Sequence, residues 1–206
     1  VDLEMSFATP PLVFEIVEGA LAACFREIGI EIRRPFRRMP YAAAIAQWEA
    51  FMNLGDAKHA MTARYMYEHL FLAHLTFGTK TGEYYELVRS KSGPGKEIDL
   101  IPSVRPYDDP GVAQFFYRFR KIHSTIVQKT HMVYELDDAR MRRFEELFIE
   151  PEWLQEPHLV GFDPKTSANP FKTFEQIPPH SRYMFLLDSS HYVIMTFIHG
   201  PVCKGQ

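Results

Sequence analysis

Arg64, Glu68, His69 and His74 stand inside an otherwise apolar run of helical character, Ala60 to Phe77, read as AMTARYMYEHLFLAHLTF. Burying a charge or an unpaired polar group costs several kcal/mol, so such side chains are either paired or used for chemistry. At about 100° per residue, Arg64 and Glu68 form one i, i+4 pair, and Tyr65 and His69 form another. His69 and His74, five apart, point roughly 140° away from each other on a regular helix and do not bind one metal together. Two readings stay open: an internal helix whose Arg64 and Glu68 neutralise each other, or a helix that walls a cavity.

Other polar groups extend the candidate set. Lys129 and His131, in QKTHMVYEL, lie two apart at the start of a strand-like segment, so both face the same way and present a cation and an imidazole to a ligand or to solvent. Arg105, Asp108 and Asp109 in RPYDDPG suit a turn and a helix cap. The site expected from these residues is Arg64, Tyr65, Glu68, His69, His74, Lys129 and His131. Nine histidines are many for 206 residues, yet they scatter. No H-x-x-x-H, H-E-x-x-H or D-x-D-x-D-G spacing occurs, so no metal site is expected, and GPGK lacks the spacing of a phosphate loop. A G-x-S-x-G nucleophile is also missing.

The elements that must position these groups follow from periodicity and punctuation. Helices are expected over Leu12–Ile28, Tyr41–Met52 and from Ala57 to Gly78, the last capped by Asp56. Glu83 to Val104 reads as a β-hairpin around Lys91–Gly95, and a long helix is expected from Pro110 through Phe115, Phe119, Ile122 and Ile126. His131–Leu136 reads as a strand, DDARMRRFEELFI as a capped amphipathic helix, and Ser181–His199 as a closing helix. Closely spaced prolines make residues 155–179 a loop or lid. The fold class expected is α+β: one mostly helical compact unit, residues 1–206, with a β-hairpin and a short additional strand.

Composition narrows the function. With 46% hydrophobic residues the chain can bury a sizeable core, and 23 Lys plus Arg against 26 Asp plus Glu leave a net charge of −3. That balance gives no general affinity for nucleic acid. Arg33, Arg34, Arg37 and Arg38 crowd around Pro35 and Phe36, which suits phospholipid head groups or a solvated loop. No run of about eighteen apolar residues exists to span a bilayer, and the chain contains no basic-then-apolar leader with a small-residue cleavage site. Beginning at Val1 and ending at Gln206, it reads as an excised segment of a longer protein. Its two cysteines, Cys24 and Cys203, fit neither a zinc nor a haem-attachment spacing and are compatible with a disulfide or with free thiols.

TARYMYEHLFLAHLTF (Thr62 to Phe77), RPYDDPGV (Arg105 to Val112), TIVQKTHMVYELDDARM (Thr125 to Met141) and TFIHGPVCKGQ (Thr196 to Gln206) together resemble the bacterial fatty-acid cis/trans isomerase family, from about Trp48 to the end of the chain. The resemblance implies a periplasmic c-type cytochrome that converts cis double bonds of membrane phospholipid acyl chains to trans as a response to solvents and heat. It also implies haem c, attached through a C-x-x-C-H motif that this chain does not contain, and so outside this segment. The haem would supply reversible one-electron withdrawal from the alkene, lowering its π-bond order so that the chain could rotate before the electron returned. The segment would then supply a slot for an acyl chain at a membrane surface, for which Tyr65, Met66, Tyr67, Phe71 and Met184 are of the right type, as they are for a plain core. His69 or His74 would serve as a distal haem ligand or orient substrate. The alternative is a non-catalytic lipid-binding or haem-docking module of a larger periplasmic protein, and a helical binding domain with no such tie is the third reading.

Overall fold

The computed structural model describes residues 10–27, 41–77, 82–124, 126 and 132–199. Residues 1–40 and 41–206 form two compact units. The described part of the first is one helix, α1 (Pro10–Glu27). Its two leading prolines sit where a first turn has no hydrogen bonds to lose. The Arg33–Arg38 patch and Cys203 lie outside the described residues.

The second unit is α+β, as its sequence predicts. Helices α2 (Tyr41–Met52) and α3 (Ala57–Leu70) are followed by strands β1 (His74–Thr76), β2 (Tyr84–Ser90), β3 (Phe116–Ile122) and β4 (Val133–Glu135). Then come α4 (Asp138–Phe144), a π-helical turn (Glu145–Ile149), the short helices α5 (Pro164–Ser167) and α6 (Pro170–Thr173), and α7 (Pro179–His199). The sheet runs β3-β2-β1-β4, with β1 parallel to β4 and the other neighbours antiparallel. Asp56 caps α3 by accepting from the His59 amide at 3.0 Å, and Asp137 caps α4 by accepting from Arg140 at 2.7 Å.

Three expectations fail, each for a tertiary reason. Helix α3 stops at Leu70 rather than running to Gly78, because His74, Leu75 and Thr76 pair with Val133, Tyr134 and Glu135, and Leu75 also pairs with Tyr85. Sheet pairing outweighs the helical propensity of that apolar run. The helix expected after Pro110 is β3, which pairs with β2 along seven residues from Tyr84↔Ile122 to Ser90↔Phe116. Its aromatic-rich FFYRF favours a strand, while the spacing of Phe115, Phe119 and Ile122 misleadingly fits a helix. The partner of β2 is therefore not the segment after Gly95. That segment returns as a loop, held by a Ser90↔Leu100 bridge and by the Lys91 amide on the Asp99 carbonyl at 2.8 Å. Asp109 then serves a turn, accepting from the Gly111 amide at 2.7 Å.

The outer edge of β3 is closed by α2. The Asn53 side chain accepts from the Tyr117 amide and donates to the Tyr117 carbonyl, both at 2.9 Å, as a neighbouring strand would. One turn earlier, Glu49 accepts from the Phe119 amide at 3.1 Å and from Arg118 Nε at 2.9 Å. Arg118 in turn holds the 91–100 loop through the carbonyls of Ser92, Gly93 and Lys96. Two side chains thus remove the exposed ladder that an edge strand otherwise presents.

Between α2, α3, the π-helical turn and α7 the core is aromatic. Trp48 packs edge-on against Phe144 at 5.5 Å between ring centroids, and Phe185 lies 5.1–5.9 Å from Tyr65, Phe144 and Phe148. Each fully buried ring of this kind contributes about 1.5–3 kcal/mol through burial. Lys58 ties α3 to the end of the π-helical turn by donating to the Ile149 and Pro151 carbonyls at 2.9 and 2.6 Å.

Candidate functional site

Arg64 is 4% exposed on α3, and its Nε donates to Glu68 at 2.9 Å. Its Nη1 donates to the Val160 carbonyl, and its guanidinium carbon lies 4.3 Å from the ring centre of Phe162. Nη2 is buried with no hydrogen-bond partner among the described residues. The helix therefore aims a cation at the 159–162 segment of the proline-rich loop, and that loop is held to α3 by the same cation.

A second buried cation, Arg89, stands behind the first. Its Nη1 donates to the Asp108 carbonyl and its Nη2 to the Ser103 hydroxyl, both at 2.7 Å, and its Nε has no partner among the described residues. Its guanidinium carbon is 5.3 Å from the Tyr67 ring centre, 5.7 Å from that of Phe115 and 5.8 Å from that of Phe162. Burial pushes the Glu68 carboxyl upward, while the hydrogen bond from Arg64 and the charges of Arg64 and Arg89 pull it back. The Tyr117 hydroxyl is also raised by burial, against the two guanidiniums that favour its anion.

Arg64 and Tyr117 border a cavity of about 360 Å³, walled also by Phe115, Phe116, Leu159 and Phe162 among others. Its size falls in the range of small-molecule and cofactor sites, about 300–1,000 Å³, and its lining is mostly apolar with one buried cation. Such an arrangement can take a hydrocarbon chain against its apolar walls.

The sequence-predicted site residues do not form one cluster. Arg64 and Glu68 pair beside this cavity, whereas Tyr65 and His69 face the other way, into the aromatic core. Tyr65 donates to the Arg182 carbonyl at 3.4 Å, and burial pushes its hydroxyl up to about 12. His69 Nδ1 is 2.7 Å from the Tyr65 carbonyl, which only accepts, so Nδ1 carries the proton and Nε2 is left as the acceptor. His69 lines a separate cavity of about 110 Å³ with Met132, Tyr134 and Phe185. His74 is half-buried on β1, opposite Val133. Lys129 and His131 lie outside the described residues. Of the residues expected for an acyl slot, Tyr65, Met66 and Tyr67 are buried and Phe71 and Met184 half-buried, but none lines the larger cavity.

Sequence reasoning missed Arg89, Phe115 and the Leu159–Phe162 wall. Arg89 had a signal: Tyr85, Leu87 and Arg89 share one face of β2, so an arginine continues an apolar line. The loop wall had none, because local sequence does not say which surface a loop covers.

Burial holds the His69 imidazole below its ordinary range, so the fold favours its neutral form. In the unfolded chain it protonates near pH 6.5, before the folded form does. The stability due to neutral His69 is thus complete above about pH 6.5 and is lost as pH falls from there toward the folded value. Urea titrations between pH 7 and 5 should show this slope in the wild type and a shallower one in His69→Phe; equal slopes would exclude His69 as its source.

The cavity beside His69 does not fit a haem. The chain has no C-x-x-C-H, and the cavity beside His69, at about 110 Å³, is well below the size of a cofactor site. Among the described residues there is no group of three His, Cys, Asp or Glu able to hold a metal ion, and no helix long and apolar enough to cross a membrane.

The second unit is thus an α+β fold with a closed strand edge and a mostly apolar cavity bordered by a buried arginine. Residues 25–206 match the sequence model of the fatty acid cis/trans isomerase (CTI) family, and the chain belongs to that family. The match begins upstream of the Trp48 expected from the motif blocks. A short stretch is also similar to aspartate–tRNA(Asp/Asn) ligases: 43% identical over 49 residues to that of Anaeromyxobacter sp. (strain K), and 47% over 49 residues to that of Oleidesulfovibrio alaskensis. Each match covers 23% of this chain, which spans only 8% of the ligase's length. No solved structure matches the chain.

Proposed function

We propose that residues 41–206 form the acyl-chain-binding part of an isomerase that converts cis to trans double bonds in the unsaturated acyl chains of membrane phospholipids. The observation that carries this reading is the apolar cavity of about 360 Å³ beside Arg64, in a chain of the fatty acid cis/trans isomerase family. Haem c is assigned to a part of the protein outside this segment, and the location to the periplasm. The share of these residues is to admit the chain, strip it of water and hold it while its bend changes. Phe115, Phe116, Leu159 and Phe162 supply the apolar walls, and burial of each methylene contributes about 0.8 kcal/mol.

The test is to incubate vesicles of a cis-unsaturated phosphatidylcholine with the longer, haem-carrying protein that contains this segment, and to follow the double-bond geometry of the acyl chains. Accumulating trans chains support the reading. Acyl-chain binding with no trans product from spectroscopically intact holoprotein would replace it with the non-catalytic lipid-binding module.

The ligase likeness has a separate reading. Residues 1–24 lie ahead of the family match, and residues 1–40 are a compact unit of their own. We infer that the ligase-like stretch, at 49 residues, is longer than either and so overlaps the isomerase-family match. At 8% of a ligase's length, the likeness carries no argument for aminoacylation by this chain.

A further inference from the structure

Among the described residues two buried guanidiniums, Arg64 and Arg89, share one buried carboxylate, Glu68, which is ion-paired to Arg64. The partners of Arg89 are neutral: a backbone carbonyl and a serine hydroxyl. The nearby carboxylate of Asp108 is taken by Arg105, at 2.9 Å on the surface. The cluster therefore carries an excess positive charge in a desolvated place, which favours an anion.

One donor group of the cluster is also unspent. Arg64 spends Nε on Glu68 and Nη1 on the Val160 carbonyl, so Nη2, with two N–H groups, is left without a partner among the described residues. Arg64 is the cation that lines the cavity, and the walls around it are mostly aromatic and aliphatic. Arg89 lies behind the Phe115 and Phe162 rings and adds its charge from there. A guanidinium N–H facing an oxyanion makes a charge-assisted hydrogen bond, strongest where water is excluded. A ligand with an acidic end and a hydrocarbon body matches both halves of this site.

We propose that Arg64 forms an anion subsite that holds the acidic end of an acyl ligand, the carboxylate of a fatty acid or the phosphodiester of a phospholipid, with its chain in the adjoining cavity. This rests on the acyl-chain reading of the cavity. Glu68 is the positioning residue: it takes Nε and so leaves Nη2 as the donor for the ligand. Arg89 offsets the repulsion between Glu68 and the bound anion.

The 206-residue chain is titrated calorimetrically with oleate, oleoyl lysophosphatidylglycerol, oleyl alcohol and inorganic phosphate. At least one of the two acidic lipids should bind about tenfold or more tightly than the neutral alcohol, and inorganic phosphate far more weakly than that lipid. Tighter oleate assigns the carboxylate, and a tighter lysolipid assigns the phosphodiester. In Arg64→Met/Glu68→Gln, which removes both members of the ion pair together, the preference over the alcohol should vanish. Arg64→Lys, if the double variant does not fold, should retain only part of the preference. Equal binding of acid and alcohol by the wild type, or an undiminished preference in either variant, overturns the subsite. Isomerisation without the acid preference sinks the subsite alone, and the preference without isomerisation sinks the isomerase reading alone.

Discussion

Glu49→Ala should destabilise the 41–206 unit by about 3–5 kcal/mol, the usual cost of leaving one member of a buried ion pair alone. Glu49 and Arg118 side chains are 5% and 8% exposed, and one carboxylate oxygen serves both Arg118 Nε and the Phe119 amide. Alanine therefore strips a buried cation of its counter-ion and a strand edge of its acceptor in one change. The loss spreads to the 91–100 loop, which Arg118 holds through three carbonyls. Urea unfolding measures it as a lower midpoint at unchanged slope. Glu49→Gln, which keeps an acceptor for Phe119, should cost less, and a loss below about 1 kcal/mol in Glu49→Ala would show that solvent screens the pair as it does on surfaces.

Ala113→Trp should reduce trans-product formation by about tenfold or more without a comparable loss of stability. Ala113 is exposed on the loop before β3 and lines the cavity beside Arg64. An indole there occupies space that an acyl chain needs, while surface substitutions away from buried networks usually change stability by only about 0.5 kcal/mol. The rate of trans accumulation and the urea midpoint, measured on the same preparation, separate the two effects. A rate equal to wild type would place the acyl chain elsewhere.

Where local signals and tertiary packing agree, the fold was legible in the sequence. Tyr41–Met52 and the Asp56 cap were correct to the residue, because apolar periodicity and capping chemistry are local. His74–Thr76 and Phe116–Ile122 were misread because their state depends on strands distant in sequence, Val133–Glu135 and Tyr84–Ser90. A helix-compatible spacing cannot report such pairing. For the site, the i, i+4 relation placed Arg64 beside Glu68 correctly. It could not show that Tyr65 and His69 turn into the core, nor that Val160 would cross the chain to meet Arg64. Cavities are made by long-range closure, so their walls are the last thing a single sequence yields.

The central claim is that the cavity beside Arg64 binds the acyl chain whose double bond is isomerised. Gas chromatography of the acyl chains recovered from cis-unsaturated vesicles, after incubation with the haem-carrying longer protein or its Ala113→Trp variant, tests it most directly. The account predicts trans chains accumulating with the wild type and about a tenfold slower rate with the variant at equal haem content. No trans product from intact holoprotein, or equal rates for the two, would contradict it.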